Sequence, residues 1–469
     1  MKKKLLLAFL LVPLILLLIK ENLTIDQKRF IRETVLPKGT EEYNITNSNL
    51  SHSNEVNYLK SYHLKKIGDE LKFFILDQEL KTKRNFEDIH FIKQKRISTF
   101  GKNVKLEITR YHNRGQITSG IANFFPGSAY LDFDKDNLWL LSSRGILGYG
   151  KINDDKIIFK QIKNNLEEFI NQNQFKKEDI DTKKIWYGFR DIKIFDDKIF
   201  VSFTDEIKED CWNTSVVFSE IDYNNLKFQV LFQAEDCIHI KKNLDKEFNA
   251  FHSGGRIINI NNKEILFSTG EYRQRYLAQK VDSINGKILK ININNKNYKI
   301  LSMGHRNPQG LFYNKSKNLI IETEHGPLGG DEINLIKLHN QKIPNYGWPI
   351  ASYGEHYGGK SEKNKQKYKK YPLLKSHKDN GFVEPLKHFG SLGISEITMI
   401  NDEIYVFSTL NHNTLTFFEI DKNKYIELGR VNINERIRDI INHDNKLILF
   451  LEDTPSIALI DIDKINIKK

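Results

Sequence analysis

SAYLDFDKDNLWLLSS, residues Ser128 to Ser143, alternates apolar and polar positions, turns on Asp-Lys-Asp-Asn, and then enters a strongly apolar run. Alternation with period two marks a strand with one buried face. Asp and Asn close tight turns because their side chains bond nearby backbone and tolerate left-handed φ. The segment predicts a β-hairpin. Five further segments share its form: DIKIFDDKIFVSFT (191–204), RIININNKEILFSTG (256–270), GLFYNKSKNLIIETE (310–324), ITMINDEIYVFST (397–409) and DIINHDNKLILFLED (439–453). Their second strands begin near Leu138, Ile199, Ile265, Leu319, Ile404 and Leu447, an interval of about 60 residues. Common propeller repeats run to roughly 40–50 residues, so four-stranded blades with long loops fit this spacing. The expected fold is all-β, a six-bladed β-propeller over residues 86–469. A β-sandwich with insertions would give no reason for six similar hairpins.

The chain before the repeats is different. MKKK precedes fifteen apolar residues, Leu5 to Ile19. A basic start and a short apolar run make an export signal, shorter than the roughly 17–25 residues of a full membrane span. No small-x-small cleavage site follows in KENLTIDQ, so residues 1–20 are read as an uncleaved membrane anchor or a cleaved signal. In both cases the lysines stay cytoplasmic and the body is exported to the periplasmic side. Residues 21–85 read as a linker, partly helical. NSNLSHSNE is polar and irregular, and VNYLKSYHLKKIGDELKFFI can hold a short amphipathic helix. The two cysteines, Cys211 and Cys237, can form a disulfide in an exported protein. No further Cys or His stands near them at a zinc-site spacing.

Composition narrows the function. The 469 residues carry a net charge of +12, but the lysines are spread evenly, without a dense basic block or an RNA-binding signature, so nucleic acid is not the expected partner. Hydrophobic residues at 39% and charged residues at 28% suit a soluble globular body.

One connection stands apart. TEHGPLGGDE, Thr323 to Glu332, packs three acids, a histidine, a proline and three glycines between two apolar strands. Glycines allow backbone angles that turn carbonyls inward, and an oxygen-seeking cation such as Ca²⁺ needs such carbonyls beside an acid. The loop ends the fourth hairpin, so a propeller places it at the mouth of the central channel.

GHRNPQGL (304–311), EHGPLGGDEIN (324–334), NYGWP (345–349), HSGGRI (252–257), VDSINGKILKIN (281–292) and RIRD (436–439) together resemble the soluble quinoprotein glucose dehydrogenase and aldose (sorbosone) dehydrogenase family. The resemblance covers roughly residues 191–460. It implies a six-bladed propeller and an exported sugar dehydrogenase that uses pyrroloquinoline quinone (PQQ) and Ca²⁺. Such an enzyme oxidises an aldose at the anomeric carbon to the lactone. It passes the electrons to an acceptor of the respiratory chain or periplasm.

The resemblance also assigns residues. His252 falls at the position of the base, and imidazole titrates near neutrality. Glu271 takes the place of an orienting Asp, one methylene longer. Arg306 and Asn307 fall where the family contacts the quinone carbonyls, with Gln309 a further contact. An Arg there stabilises oxygen charge as hydride arrives. Arg436 and Arg438 alternate along a strand, which turns both to one face and suits the three carboxylates of PQQ. Phe389, Ser391 and Gly393 correspond to residues over the cofactor. The backbone carbonyls of Gly326 and Pro327 are expected to hold Ca²⁺. Asp331, Glu332 and the carbonyl of Tyr346 shape the loop or hold a second Ca²⁺. His325 replaces a Gln of the glucose enzyme, and Asn411 stands where that enzyme has a Lys. The other reading is a propeller that has lost the cofactor and binds carbohydrate or protein without catalysis. A lactonase-type hydrolase would need several side-chain carboxylates around a channel metal, and the sequence offers no such set.

Overall fold

A computed structural model describes residues 79–468, apart from 95, 114, 118–127, 171–187, 359–360 and 402. The expected export segment and residues 21–78 of the linker lie outside these bounds. Within them, each of the six expected hairpins is the inner pair of a four-stranded antiparallel sheet. The first blade runs through Ala129–Asp134, Asn137–Ser142, Leu147–Gly150 and Lys156–Gln161. The second uses Phe189–Phe195, Lys198–Lys208, Cys211–Glu220 and Gln229–Phe232. The third uses Gly254–Asn261, Glu264–Thr269, Lys287–Asn292 and Tyr298–Met303.

The fourth blade, Pro308–Asn314, Leu319–Glu324, Asp331–Lys337 and Lys387–Phe389, carries a long excursion before its last strand, with a helix at Glu362–Tyr368. The fifth is Ile394–Met399, Ile404–Thr409, Thr414–Asp421 and Lys424–Asn432. The sixth takes Ile437–His443, Lys446–Leu451 and Ser456–Asp461 from the end of the chain and its outermost strand, Val104–Asn113, from before the first blade. Strand Ile89–Lys93 pairs with both Val104–Asn113 and Lys156–Gln161, bridging the outer edges of the sixth and first blades. The inner strands pack blade against blade, and the last returns beside the first. The result is a closed six-bladed β-propeller, which leaves no sheet face unpaired.

Alternation explains why the blades stack. Each blade buries apolar residues on both faces, and each of the six largest apolar clusters lies between two neighbouring blades, as with Trp139, Leu141, Val201 and Val217 between the first and second. Burying one such side chain contributes about 1.5–3 kcal/mol. Aspartates pin the inner strands to one another. Asp439 accepts from Leu131 N at 2.7 Å, Asp132 from Ile194 N at 2.6 Å and Asp191 from Ile257 N at 2.6 Å. Arg256 reaches across the channel to Asp191 at 2.8 Å, Asp439 at 3.0 Å and Glu396.

Cys211 and Cys237 form a disulfide with a Cα–Cα distance of 5.2 Å. It ties the second blade to the loop that leads to His252. Residues 79–84 are helical, and the buried Glu79 accepts a hydrogen bond from Ser142 Oγ at 2.7 Å.

Candidate active site

A cavity of about 210 Å³ opens where the loops of one propeller end converge, and residues from all six blades border it. On the third-blade side, Asn249 caps a short 3₁₀ turn, Ala250–His252, by accepting from Phe251 N. The turn carries His252 into the cavity wall. His252 Nδ1 lies 2.6 Å from Glu271 Oε1, and Arg306 Nη2 lies 3.3 Å from His252 Nε2. A guanidinium can only donate, so Nε2 is the acceptor and the ring proton sits on Nδ1. Burial, and then Arg306, hold the imidazole well below its usual range. Burial pushes the Glu271 carboxyl up, against the pull of Arg275 and Arg306. Glu271 stands behind His252 and does not border the cavity.

Arg306 is aimed by several contacts. Its N–H donates to Glu324 Oε2 at 2.8 Å, its Nη1 donates to the His325 carbonyl at 2.7 Å, and its guanidinium lies 5.4 Å from the Trp348 ring. Asn307 Oδ1 accepts from Gly254 N at 3.2 Å and from Gln309 Nε2 at 3.1 Å, which joins the third and fourth blades at the cavity wall.

Opposite, Arg436 and Arg438 share one carboxylate. Glu452 meets Arg436 Nε and Arg438 Nη2, each at 2.9 Å. Two guanidinium groups on one buried acid leave a net positive wall. Arg436 Nη1 also donates to Asn411 Oδ1 at 3.3 Å. His325 borders the cavity, and its Nε2 is buried with no hydrogen-bond partner among the described residues. Burial, then Arg438, Arg306 and Arg436, lower its pKa to about 3.

The TEHGPLGGDE loop folds back on itself. A Cβ at Gly326 would lie 1.5 Å from the Gly330 carbonyl oxygen, so only glycine fits there. Asp331 braces the loop, accepting from Gly326 N at 3.1 Å, Gly393 N at 2.7 Å and Ile394 N at 3.2 Å. Burial raises its carboxyl to about 6 against those three bonds. Ser391 Oγ accepts from Gly329 N at 2.7 Å.

Of the residues singled out in the sequence, His252, Arg306, Asn307, Gln309, His325, Gly326, Asp331, Ser391, Gly393, Asn411, Arg436 and Arg438 border one cavity. Pro327, Glu332, Tyr346 and Phe389 do not. The Pro327 carbonyl accepts from Gly330 N at 3.0 Å. Phe389 packs into the apolar cluster between the fourth and fifth blades. Tyr346 stacks on His305 at 4.8 Å, and Glu332 lies 3.7 Å from His377. Near Glu332, His305, Glu322 and Glu324 are buried and bring one ligand atom each within 4.8 Å of one another, a set that could hold a cation. Burial lifts the carboxyls of Glu322, Glu324 and Glu332 above the usual range, Glu324 to about 8.

Several cavity residues were missed in the sequence: Arg144, Arg190, Arg273, Tyr357 and Glu452. Arg144 and Arg190 belong to the first two blades, where no motif drew attention to a single arginine.

Residues 187–461 match the family model described as Glucose / Sorbosone dehydrogenase. The chain belongs to this family. Aldose sugar dehydrogenase YliI of Escherichia coli (strain K12) is 27% identical over 259 residues, covering 50% of this chain and 66% of its own length. Quinoprotein glucose dehydrogenase B of Acinetobacter calcoaceticus is 29% identical over 138 residues, covering 23% of this chain and 28% of its own. The chain thus spans less than two thirds of these relatives. Among solved structures, the soluble aldose sugar dehydrogenase from Escherichia coli in the apo-form has a TM-score of 0.55 at 19% identity, covering 73% of this chain and 96% of that one. The PQQ-bound aldose sugar dehydrogenase from Streptomyces coelicolor has a TM-score of 0.51 at 18% identity, covering 74% and 96%. At such identities the superpositions establish the fold.

For a glucose/sorbosone dehydrogenase the donor set fits a polyanionic quinone. The net positive Arg436–Arg438 wall suits carboxylates, and the unpartnered His325 Nε2 offers a further polar contact. The Gly326 turn, closed by Asp331 at the cavity edge, suits an oxygen-bound cation.

Proposed function

We propose that this protein is a PQQ- and Ca²⁺-dependent sugar dehydrogenase that oxidises an aldose at its anomeric carbon to the lactone. The observation that carries the reading is a buried imidazole in the wall of a cationic cavity, with Nε2 accepting from Arg306 and Nδ1 held by Glu271. In this reading Arg436 and Arg438 hold the carboxylates of PQQ, Arg306 and Asn307 face its carbonyls, and the Gly326 turn holds Ca²⁺. PQQ, when bound, supplies the hydride acceptor. His252 Nε2 takes the proton of the anomeric hydroxyl, Glu271 steadies the resulting imidazolium, and Arg306 offers N–H groups to developing oxygen charge.

The disulfide supports export, and the lysines with the Leu5–Ile19 run supply the means. Electrons then leave to an acceptor on the periplasmic side. A cofactor-free carbohydrate or protein binder is the second reading. It is favoured by Asn411, which offers a neutral amide to Arg436 where the resemblance implies a lysine.

Purified protein reconstituted with PQQ and Ca²⁺ and assayed by dye reduction with a panel of aldoses tests the proposal. Calorimetry on the same sample should show PQQ binding that chelation reverses. Absence of PQQ binding at micromolar concentration with Ca²⁺ supplied leaves the binder reading in its place.

A further inference from the structure

We propose that Arg273 forms an anion subsite at the cavity mouth, and that the aldose oxidised here bears a carboxylate or phosphate remote from its anomeric carbon. The inference rests on the dehydrogenase reading.

The backbone commits itself to this side chain. Tyr272 and Arg273, directly after Glu271, have φ of 50° and 66°. Left-handed backbone is unfavourable at a non-glycine residue, and such conformations cluster at functional sites. The turn lets the Arg273 backbone N–H donate to Glu271 and sends the guanidinium to the cavity wall.

There no carboxylate among the described residues lies within hydrogen-bond distance of its guanidinium. Its ion pair with Glu247 is 3.8 Å long. Glu247 is instead held by Arg275 at 2.8 Å, by the Tyr368 hydroxyl at 2.7 Å and by Lys367. The Arg273 Nε is buried with no hydrogen-bond partner among the described residues.

Arg273 follows closely on Glu271, the partner of His252, and the Tyr272 carbonyl accepts from Asn249 N at 3.2 Å, which sets Arg273 beside the loop that carries His252. Asn249, Phe251 and the half-exposed ring of Tyr357 border the same mouth. A neutral sugar hydroxyl is served by an amide or hydroxyl. A planar guanidinium fork, partly buried and held by its acid only at 3.8 Å, matches a carboxylate or phosphate. An aromatic edge beside it suits a sugar ring.

The test compares three substrates on the PQQ- and Ca²⁺-loaded protein: a neutral hexose, the hexuronic acid of the same stereochemistry, and the hexose 6-phosphate. The expected result is a higher kcat/KM for one of the two anionic sugars, and which one leads identifies the anion. Arg273→Gln should lower the preference for that sugar over the neutral hexose by about ten- to a hundredfold, the usual scale for a hydrogen bond to a charged group. The loss should lie mainly in KM, because a contact to a group that takes no part in the reaction is made equally in ground and transition states. Arg273→Lys should restore part of it, and thermal melts exclude a folding defect. A wild-type protein that oxidises the neutral hexose at least as well as both anionic sugars overturns the inference and leaves the dehydrogenase reading standing. Bound PQQ that none of the three sugars reduces overturns both.

Discussion

Arg306 Nη2 faces His252 Nε2 across 3.3 Å, so Nε2 is the acceptor and carries the lone pair. Glu271, at 2.6 Å from Nδ1, holds the other side. The two partners of the imidazole therefore have different jobs, and their removal should differ in cost. His252→Gln removes proton abstraction and should lower kcat by roughly 10²–10⁴-fold with PQQ still bound. Glu271→Gln keeps the base and loosens its aim, which by analogy with outer-shell partners of metal ligands should cost about tenfold or somewhat more. Single-turnover absorbance of bound PQQ on mixing with an aldose measures both. Wild-type rates in His252→Gln would make His252 structural.

The same contact sets the pH dependence. The His252 imidazole is held well below the usual histidine value of 6.5, first by burial and then by Arg306. A base is lost when it is protonated, so kcat/KM should fall on the acid side, and the fall should begin below the usual histidine range. Activity should therefore stay level from mildly alkaline pH down through 6.5. Arg306→Gln removes the second cause, so its acid limb should shift upward in pH. A wild-type limb centred at or above 6.5 would show that water reaches the His252 imidazole.

The positive wall should govern cofactor affinity. Arg438→Ala and Arg436→Ala each remove a guanidinium that shares Glu452. Loss of one charge-assisted contact should weaken PQQ binding by about ten- to a hundredfold. Glu452→Gln should not weaken it, since it removes the competing anion. Calorimetric titration with PQQ in Ca²⁺ separates the cases. Equal weakening by all three substitutions would mean that Glu452 aims the arginines and that its own charge matters little.

What the sequence made legible follows from how local each signal is. The six hairpins could be read because turn chemistry and alternation lie within about fifteen residues, as in Ser128–Ser143. Closure of the ring could not, because Val104–Asn113 completes a blade whose other strands lie more than three hundred residues later. His252, Arg306, Arg436 and Arg438 were found through motifs and do share one cavity. Pro327, Glu332 and Tyr346 sit in the neighbouring motifs, and Phe389 was placed by the resemblance, but all four lie outside the cavity wall, since a motif fixes chain neighbourhood and not side-chain direction. Arg273 had no motif. Its signal is a left-handed backbone at two consecutive non-glycine residues, which composition does not reveal.

The disulfide should matter to stability. Cys211 and Cys237 are separated by 26 residues, a span for which the chain-entropy account gives about 3.5 kcal/mol. The double Cys211→Ser, Cys237→Ser variant should lose about that much in denaturant titration. The loop from Cys237 leads to His252, so local opening there should also raise amide exchange at Asn249–His252. An unchanged midpoint in the variant would show that the loop is held by other contacts.

Arg256 should be the most costly single residue of the channel. It faces Asp191 at 2.8 Å, Asp439 at 3.0 Å and Glu396, with the Tyr130 ring 5.6 Å from its guanidinium. Burial works against its charge, but the three acids more than compensate and raise its pKa. Burial also lifts the acids, Asp191 to about 7 and Glu396 to about 8, even with Arg256 present. Arg256→Met removes the cation that three buried carboxyls share. Breaking a buried pair in this way costs about 3–5 kcal/mol. The acids can relieve part of the cost by taking up protons. A carboxyl whose folded pKa exceeds its unfolded value contributes stability below the unfolded pKa and loses it as pH rises through the folded one. The loss in Arg256→Met should therefore be small near pH 4 and grow through pH 8, the range set by the raised acids. Denaturant midpoints of wild type and variant across that range measure it. A deficit that is the same at both ends would mean that the acids stay charged, and that water or another cation takes the place of Arg256.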